Sequence, residues 1–408
     1  MILGRTYRFW IVLMLALGVS ASACDTFVED VDLPIDTIDD SQLNTEKQVP
    51  FLIQGVQSRF STAYDQIAVL AGGLSDELVF DRRAGTATFP AFEEIESGHV
   101  SFANNSNDFV YNDVGELRFL ADNLLARLEK ISFSDPDLKN QAAFIGNFYG
   151  GLARYFLATY YGISPTEGGG VISEDRNNPA PFTPSFEMYD LAIDKLKSAL
   201  ALADDYHTRV INTVIARIEL FRGNYIEAQA SAQLGLVTGD NPFVSLHSRD
   251  NPNFWWDEAG NGRLQWVVDA RFNRYVEDDP SEATRIPLLA TEGADGEIFY
   301  QQNVYPDAET PFPFATWQEN ELILAEVAFR NSDIPLTRNR LEEVRESHGL
   351  GGLGPISMDT VLSEREKELF TMGMRLVDQR RFDIWHLDAG TWQYLPLTQN
   401  ERNQNPNF

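Results

Sequence analysis

Apolar residues recur every three or four positions through most of the chain from about Val49 onward, which is the spacing of amphipathic helices. The clearest stripe falls in 137–160 and consists of residues four apart: Phe144, Phe148, Leu152, Phe156 and Tyr160. Similar spacing predicts further helices over 185–200, 208–221, 225–236, 317–330, 336–347 and 361–384. The pattern therefore predicts a mostly α fold.

Three glycines, Gly146, Gly150 and Gly151, lie within the 137–160 stripe, although glycine lowers the stability of an isolated helix. Because glycine has no side chain, a second helix can approach closely at such a position. We therefore expect neighbouring helices to contact this helix at its glycines.

A second pattern crosses the turn between two predicted helices. Ala216, Leu220, Gly223, Tyr225 and Ala228 resemble part of a tetratricopeptide unit, in which small residues let two antiparallel helices pack closely. The chain has no clean period of about 34 residues, the length of that repeat. We therefore predict a tetratricopeptide-like scaffold built from degenerate helix pairs.

Helical periodicity is lost between about 239 and 315, where Pro, Gly, Asn and Asp become frequent. The same stretch is rich in aromatic residues: Phe254, Trp255, Trp256, Trp266, Phe272, Tyr275, Phe299 and Tyr300. Within it, 264–272 has the composition of a short strand. Long irregular stretches are usually functional or disordered, and the aromatic content argues against disorder, so 239–315 is the predicted ligand region.

The first residues are typical of an export signal. Arg5 and Arg8 precede an apolar run over 9–19 and small residues that end at Ala23, directly before Cys24. The apolar run is too short for a membrane span, which needs roughly 20 helical residues. Cys24 is the only cysteine in the chain, so we predict a lipoprotein signal peptide over 1–23 and lipidation of Cys24. The alternative is an ordinary signal peptide, with Cys24 playing no part.

Residues 24–48 are rich in Asp, Glu and Thr and are predicted to form an acidic tether between the lipid and the folded body, or else a disordered end without a role. The remaining 49–408 is long enough to bury one large core and is predicted to be a single domain. If Cys24 is acylated, this domain contains no disulfide and no thiolate metal site.

The charge balance is strongly acidic, with 61 Asp and Glu against 32 Lys and Arg and a net charge of −29. Such a surface repels phosphate backbones and anionic lipids, so nucleic-acid binding is disfavoured and membrane attachment is expected through the lipid alone. It is compatible with neutral or cationic ligands and also with a saline habitat.

The sequence contains no clear catalytic, metal or cofactor motif. The five histidines lack metal-ligand spacing, and no nucleophile elbow is present. The glycine-rich 349–355 follows a helix and lacks the Lys-Ser/Thr ending of a phosphate loop, so it is predicted to terminate that helix. Glycoside hydrolysis needs only two suitably spaced carboxylates. Among 61 acidic residues such a pair occurs by chance, so its presence is not evidence of catalysis. We therefore predict no enzymatic activity and no cofactor.

Three segments of the C-terminal third carry a family resemblance. They are Trp317 to Glu326, then Glu364-Arg365, Glu368, Gly373, Arg375, Asp378 and Arg380-Arg381, and then Leu395-Pro396 with Asn400-Glu401 and Asn405 to Asn407. In this order they resemble the SusD/RagB-like family. The apolar positions of the first segment are predicted to lie in the core, and the charged residues of the second are predicted to fix helix packing. Met372 occupies a position that is often Glu in that family.

The resemblance implies a tetratricopeptide-like lipoprotein on the outer face of the outer membrane. It would bind an oligosaccharide or another small nutrient, such as a peptide, and act as the lid of a TonB-dependent barrel. Two other hypotheses remain: a surface glycoside hydrolase that uses a carboxylate pair, and a lipid-anchored helical scaffold for protein partners.

Saccharide sites combine aromatic rings, which stack on apolar sugar faces, with nearby polar groups that bond the hydroxyls. Phe254, Trp255, Trp256 and Asp257, which follow Asn251 and Asn253, fit this description. The alternative is that Trp255 and Trp256 cover the helical core.

A second predicted ligand segment is Phe80, Asp81 and Arg82, in a loop after an early helix, where the family resemblance places part of the ligand surface. Asn104 and Asn105 are predicted to be loop residues that join it.

Overall fold

Helices make up most of the body, as the apolar stripes predict. In this computed structural model the described residues are 40–84, 87–174 and 178–408, and residues Pro50–Phe408 form one compact unit. The helices are α1 (Val49–Leu74), α2 (Pro90–Glu96), α3 (Asn105–Leu128), α4 (Pro136–Tyr160), α5 (Ser185–Leu200), α6 (Asp205–Phe221), α7 (Tyr225–Ala232), α8 (Phe254–Ala259), α9 (Ala270–Asp278), α10 (Trp317–Arg330), α11 (Ile334–Ser347), α12 (Met358–Glu368), α13 (Arg375–Arg381) and α14 (Gln399–Gln404).

Short strands lie at the edges of this helical body. They are β1 (Leu78–Val79), β2 (Tyr161–Ser164), β3 (Glu167–Val171), β4 (Phe182–Pro184), β5 (Phe243–Ser245), β6 (Val267–Val268), β7 (Leu288–Glu292), β8 (Ile298–Gln302), β9 (Phe312–Ala315) and β10 (Leu395–Pro396). One sheet has the order β1-β6-β8-β7, a second has the order β10-β2-β3-β4, and β5 pairs with β9. All pairs are antiparallel except β10 with β2.

Glycines of α4 mark the places where neighbouring helices approach it, as predicted. A Cβ added at Gly146 would lie 2.6 Å from Leu125 Cγ on α3, and one added at Gly151 would lie 2.9 Å from Leu196 Cγ on α5. Both distances are too short for a side chain to fit without movement of its neighbour. Two glycines on different faces of α4 therefore allow three helices to pack side by side.

The predicted helix pair at 216–228 is formed by α6 and α7, which pack against α10. Their contact is an apolar cluster of small and branched side chains: Ala216, Leu220, Ala228, Ala232, Ile323, Leu324 and Val327. Gly223 has a φ of +77° in the turn between α6 and α7, a conformation that favours glycine. The prediction of a mostly α, tetratricopeptide-like scaffold is confirmed.

Buried ion pairs join the C-terminal helices. Arg365 on α12 donates to both carboxylate oxygens of Asp378 on α13, at 3.0 and 3.2 Å. Arg381 pairs with Asp378 on its own helix and with Glu326 on α10. The predicted packing role of these charged residues is therefore confirmed. At the C-terminus, Asn405 is buried and its amide donates to the carbonyl of Ala180 at 2.8 Å, so this stretch packs on the body.

The predicted helix over 361–384 is interrupted. The chain leaves α12 after Glu368 and re-enters a helix at Arg375, and Thr371 and Gly373 between them have φ values of 75° and 73°. In one continuous helix, Arg365 and Asp378 would lie about 20 Å apart along the axis. The break therefore allows these two residues to meet.

Three other local predictions are also corrected. In 264–272 only Val267–Val268 is a strand, because Asp269 then caps α9 through the Arg271 N–H at 2.8 Å. The region 239–315 contains α8 and α9 as well as strands, so it is less irregular than predicted. Asn104 and Asn105 begin α3 and are not loop residues.

The predicted signal peptide, Cys24 and the tether up to residue 39 lie outside the described residues. Residues 40–48 contain two short 3₁₀ turns, Asp40–Leu43 and Glu46–Gln48. Within 40–84, 87–174 and 178–408, none of the helices combines the length and apolar character that crossing a bilayer requires.

Candidate functional site

An aromatic cavity of about 410 Å³ lies where α1, α2, α3 and α8 meet. Its lining is mainly apolar and includes three rings that reach solvent at least in part, those of Phe89, Phe109 and Phe254. Behind them are the buried side chains of Leu70, Phe92 and Val110. Asn105, Ser106, Glu258 and Arg263 supply polar groups.

The start of α3 positions Phe109, whose side chain is 59% exposed. Asn104 is the N-cap of this helix and accepts the Asn107 N–H at 3.0 Å. The Asn104 amide also donates to the Ala91 carbonyl at 2.8 Å and to Glu94 Oε2 at 3.0 Å, and both of these residues belong to α2. The predicted ligand residue Asn104 therefore fixes α2 against α3, while its neighbour Asn105 lines the cavity.

Phe254 is held by two contacts at the start of α8. Asn253 caps this helix by accepting the N–H groups of Trp255 and Trp256, at 3.0 and 3.2 Å. The Phe254 N–H donates to Asp65 Oδ2 of α1 at 2.7 Å. The backbone that carries the Phe254 ring is therefore fixed at the N-cap of α8 and at the first residue of this helix.

The Phe89 ring is a further part of the cavity lining. Gln265 Oε1 accepts the N–H groups of Thr88 and Phe89, at 2.9 and 3.1 Å, which holds this segment in place. The Phe89 ring centroid lies 5.6 Å from that of Phe92, which in turn lies 5.1 Å from that of the buried Trp266. A continuous layer of aromatic contacts therefore supports this wall.

An ion pair provides the charge in the cavity. Arg263 donates to Glu258 Oε1 at 2.8 Å, and its guanidinium lies 4.3 Å from the Phe89 ring centroid. The Glu258 carboxyl is only 2% exposed, and this burial raises its pKa to about 7. Asp257 accepts the Arg263 N–H at 3.1 Å and so fixes the turn that carries the arginine.

The two predicted tryptophans, Trp255 and Trp256, are not part of the cavity lining. Trp255 is fully buried at 0% exposure, with its ring against Gly72 of α1. This position corresponds to the alternative that the sequence left open, in which the ring covers the core. The adjacent Trp256 remains half-buried.

Phe80 is also buried, and its ring contacts Trp266 at 6.1 Å instead of lining the cavity. Arg82 lies 5.5 Å from the Phe80 ring and pairs with Glu93, while Asp81 pairs with Arg83. Neither Asp81 nor Arg82 is among the residues that line the cavity. Of the nine predicted ligand residues, the structure places Asn105 and Phe254 on the cavity lining.

Phe89, Phe109, Glu258 and Arg263 were not predicted from the sequence. A signal existed for Phe109, because Val110, Val114 and Leu117 form the inward stripe of α3 and Phe109 does not belong to it. No comparable indication in the sequence marked the pair of Glu258 and Arg263, because an irregular turn that helical or strand periodicity does not predict brings the two side chains together.

The cavity lining is suited to binding a ligand with an apolar face and polar edges. The exposed Phe109 ring and the partly exposed rings of Phe89 and Phe254 offer stacking surfaces. Asn105, Ser106 and Arg263 carry hydrogen-bonding groups in the same lining. Within the described part of the chain, no group of three or more His, Cys, Asp or Glu residues is arranged to hold a metal ion.

Comparisons with known proteins identify the fold. No protein-family model matches the sequence, and no curated protein matches it either. Among solved structures, the chain is similar to a SusD superfamily protein from Bacteroides thetaiotaomicron, with a TM-score of 0.75 and 17% identity over 89% of this chain and 98% of that one. A SusD-like carbohydrate-binding protein from Bacteroides vulgatus gives a TM-score of 0.70 and 15% identity over 89% and 97% of the two chains.

A third similar structure is surface glycan-binding protein A from Bacteroides uniformis, with a TM-score of 0.62 and 14% identity over 87% of this chain and 98% of that one. Each of these proteins is matched over nearly its whole length. The resemblance in the C-terminal segments is thus confirmed at the level of the fold, and the chain has the SusD-like helical fold.

Proposed function

We propose that this protein binds a saccharide in the aromatic cavity and does not transform it. The observation that carries the proposal is the arrangement of Phe89, Phe109 and Phe254 around one cavity with polar groups beside them. Sugars present apolar C–H faces that stack on such rings, and their hydroxyls can bond to Asn105, Ser106 and Arg263. Two of the similar structures are described as carbohydrate-binding and glycan-binding proteins, which supports the same ligand class.

The size of the cavity fits one or two sugar rings with the remainder of a chain in solvent. Small-ligand sites commonly have volumes of about 300–1,000 Å³ and a mainly apolar lining with a few placed polar groups. The cavity of about 410 Å³ is at the lower end of that range. An oligosaccharide that binds by one of its residues is therefore the ligand class that we propose.

A direct test is electrophoresis of the purified protein through native gels that contain different polysaccharides, together with a glycan array. We expect at least one glycan to retard the wild-type protein, and Phe109→Ala and Phe254→Ala to remove that retardation. Phe186→Ala is the matched control, because Phe186 is 61% exposed on α5 and does not line the cavity. Retardation that survives both cavity substitutions would place binding elsewhere.

We further propose that the protein is anchored by a lipid at the cell surface, where it works with a transporter. The export signal over 1–23 and the single Cys24 support a lipid-anchored protein, with 24–48 as a tether and 49–408 as the binding domain. The resemblance of the C-terminal segments supports a place on the outer face of the outer membrane, as the lid of a TonB-dependent barrel.

Purification of the full-length protein from native membranes in detergent tests this part. We expect a large TonB-dependent barrel to co-purify in comparable amount, and Cys24→Ala to leave the protein unacylated and outside the membrane fraction. If no barrel co-purifies, the hypothesis of a scaffold for other protein partners gains support.

Glu258 makes a hydrolytic role worth testing, because a carboxyl with a pKa of about 7 has the property of a general acid. Hydrolysis needs a second carboxylate near the same bond, and Glu258 is the one carboxylate among the lining residues that the structure describes. We therefore propose binding without turnover. Release of shorter saccharides from the retained glycan, lost in Glu258→Gln, would contradict this.

A further inference from the structure

A second cavity, of about 450 Å³, lies between α3, α4 and α5 and shares no lining residue with the aromatic cavity. Three cations surround one carboxylate in it. Asp122 Oδ2 lies 2.9 Å from Arg154 Nη2 and 3.6 Å from Arg118 Nη1, and Asp122 Oδ1 lies 3.2 Å from Lys195 Nζ. Glu174 is the other carboxylate among the lining residues. The cavity is thus locally cationic in a protein whose net charge is −29.

The Arg118 side chain is 14% exposed and lines this cavity. Its distance of 3.6 Å from Asp122 is too long for a hydrogen bond, and no other acceptor among the described residues bonds its guanidinium. A largely buried arginine normally spends its five N–H groups on carboxylates or carbonyls. The N–H groups of Arg118 are therefore available to a ligand in this cavity, although Arg118 also lines a neighbouring one.

Rigid helices position the other two cations. Arg154 Nη1 donates to the Gly150 carbonyl at 2.9 Å and to Asp122 Oδ1 at 3.2 Å, so its guanidinium has one fixed orientation. The close contacts of α4 with α3 at Gly146, and with α5 at Gly151, fix the three helices that carry Arg118, Arg154 and Lys195. Arg154 and Lys195 are therefore held against Asp122 before any ligand arrives, which lowers the entropy cost of binding.

We infer that this cavity is a binding site for an oxyanion, either a sulfate or a carboxylate group. Arginine and lysine donors bind such groups through charge-assisted hydrogen bonds, which are stronger than neutral ones. Asp122 and Glu174 together offset two of the three cationic charges, which leaves one net positive charge in the lining. The Phe119 ring, 53% exposed, lines the same cavity and offers a stacking surface, so the anion can be free or can belong to an acidic saccharide.

Titration of the full-length protein with sodium sulfate tests this inference, with thermal unfolding as the readout and sodium chloride at equal ionic strength as the reference. We expect a saturable stabilisation of the wild type. In Lys195→Met and in Arg118→Met we expect the apparent Kd for sulfate to rise about ten- to a hundredfold, because each variant loses one charged hydrogen bond to the anion.

Lys197→Met is the matched control, because it removes the same charge two residues away on α5, at an exposed position outside the lining. We expect its Kd for sulfate to equal that of the wild type. Equal Kd values in Lys195→Met, Arg118→Met and Lys197→Met would overturn the inference, as would the absence of saturable stabilisation in the wild type.

The source of the anion is distinguished by a second pair of probes, glucuronate and acetate, with glucose as the neutral match. Tighter binding of glucuronate than of acetate, lost in Phe119→Ala, supports an acidic saccharide as the ligand. Equal binding of the two anions supports a free anion. Binding of glucose as tight as that of glucuronate would contradict an oxyanion site.

Discussion

Asp65 Oδ2 accepts the backbone N–H of Phe254 at 2.7 Å, and this hydrogen bond joins the long helix α1 to the ring that lines the aromatic cavity. Asp65 is buried, and its pKa is well above the usual range of an aspartate, chiefly because of that burial. The nearby His247 is neutral at physiological pH, since burial lowers its pKa to about 4. The cavity wall is thus held by a carboxyl group that is not itself part of the lining.

Replacement of Asp65 separates its positioning role from its charge. Asp65→Asn keeps an oxygen acceptor for the Phe254 N–H and is expected to retain ligand affinity. Asp65→Val leaves that N–H unsatisfied, which costs about 1–3 kcal/mol of stability, and frees the Phe254 ring. Chemical denaturation and saccharide titration of both variants measure the two effects. Equal loss of affinity in both would mean that the charge, not the acceptor, is what the site requires.

We expect the same substitution, glycine to alanine, to have opposite effects on stability at a helix contact and at an open helix position. In Gly146→Ala the new methyl group would lie 2.6 Å from Leu125 Cγ, so we expect a destabilisation of about 1–3 kcal/mol from overpacking. In Gly115→Ala, on α3, nothing lies within 4 Å of the new methyl group. There the better helix propensity of alanine should stabilise the protein by about 0.5–1 kcal/mol. Urea unfolding of the two variants checks the sign of each change.

The buried pair between α12 and α13 should contribute far more than a surface pair. Asp378→Asn leaves Arg365 and Arg381 without their shared carboxylate, and removal of one partner of a buried pair typically costs about 3–5 kcal/mol. Glu93→Gln, which breaks the exposed pair with Arg82, should leave stability nearly unchanged. Similar unfolding midpoints for the two variants would show that the buried pair has no structural role.

We expect the buried Glu77 to make the stability of the protein depend on pH. Burial raises its pKa to about 8 in the folded protein, whereas the ordinary value is 4.5. Between these values the folded state binds more protons than the unfolded state, so this group favours folding at low pH and loses that contribution as pH rises towards 8. The loss is at most about 1.4 kcal/mol per pH unit.

The difference in unfolding free energy between the wild type and Glu77→Gln isolates this effect from those of other groups, including His247. We expect the wild type to become less stable relative to Glu77→Gln as pH increases from about 4.5 to about 8. Glu187→Gln, at an exposed position of α5, serves as the control and should show no such slope. A flat difference curve for Glu77→Gln would contradict a buried, protonated Glu77.

The sequence predicted the scaffold more completely than the site, and particular residues explain the difference. Apolar spacing alone places α10 at 317–330 because Ile323, Leu324 and Val327 face one cluster. The same reasoning failed at 361–384, because a local left-handed turn at Thr371 and Gly373 overrides the pattern on either side of it. Such a turn is stabilised by tertiary contacts such as the bond between Arg365 and Asp378, which local periodicity does not contain.

Prediction of the candidate site would also have required knowledge of contacts between residues that are distant in the sequence. Trp255 and Trp256 are adjacent on a short helix, so at most one of them can face the core fully, and the sequence does not say which. Phe89, Phe109 and Phe254 come from three separate segments that meet only in the folded protein. Composition located two of the segments that contribute to the cavity, at 104–105 and 254–257, but could not decide which side chains reach it.

The central claim is that a saccharide binds between Phe89, Phe109 and Phe254, and a crystal structure with the glycan that native gels identify tests it most directly. We predict one sugar ring stacked on at least one of these phenylalanines, with hydroxyl groups within hydrogen-bond distance of Asn105 or Arg263. A glycan bound at another surface, with the aromatic cavity empty, would contradict the claim.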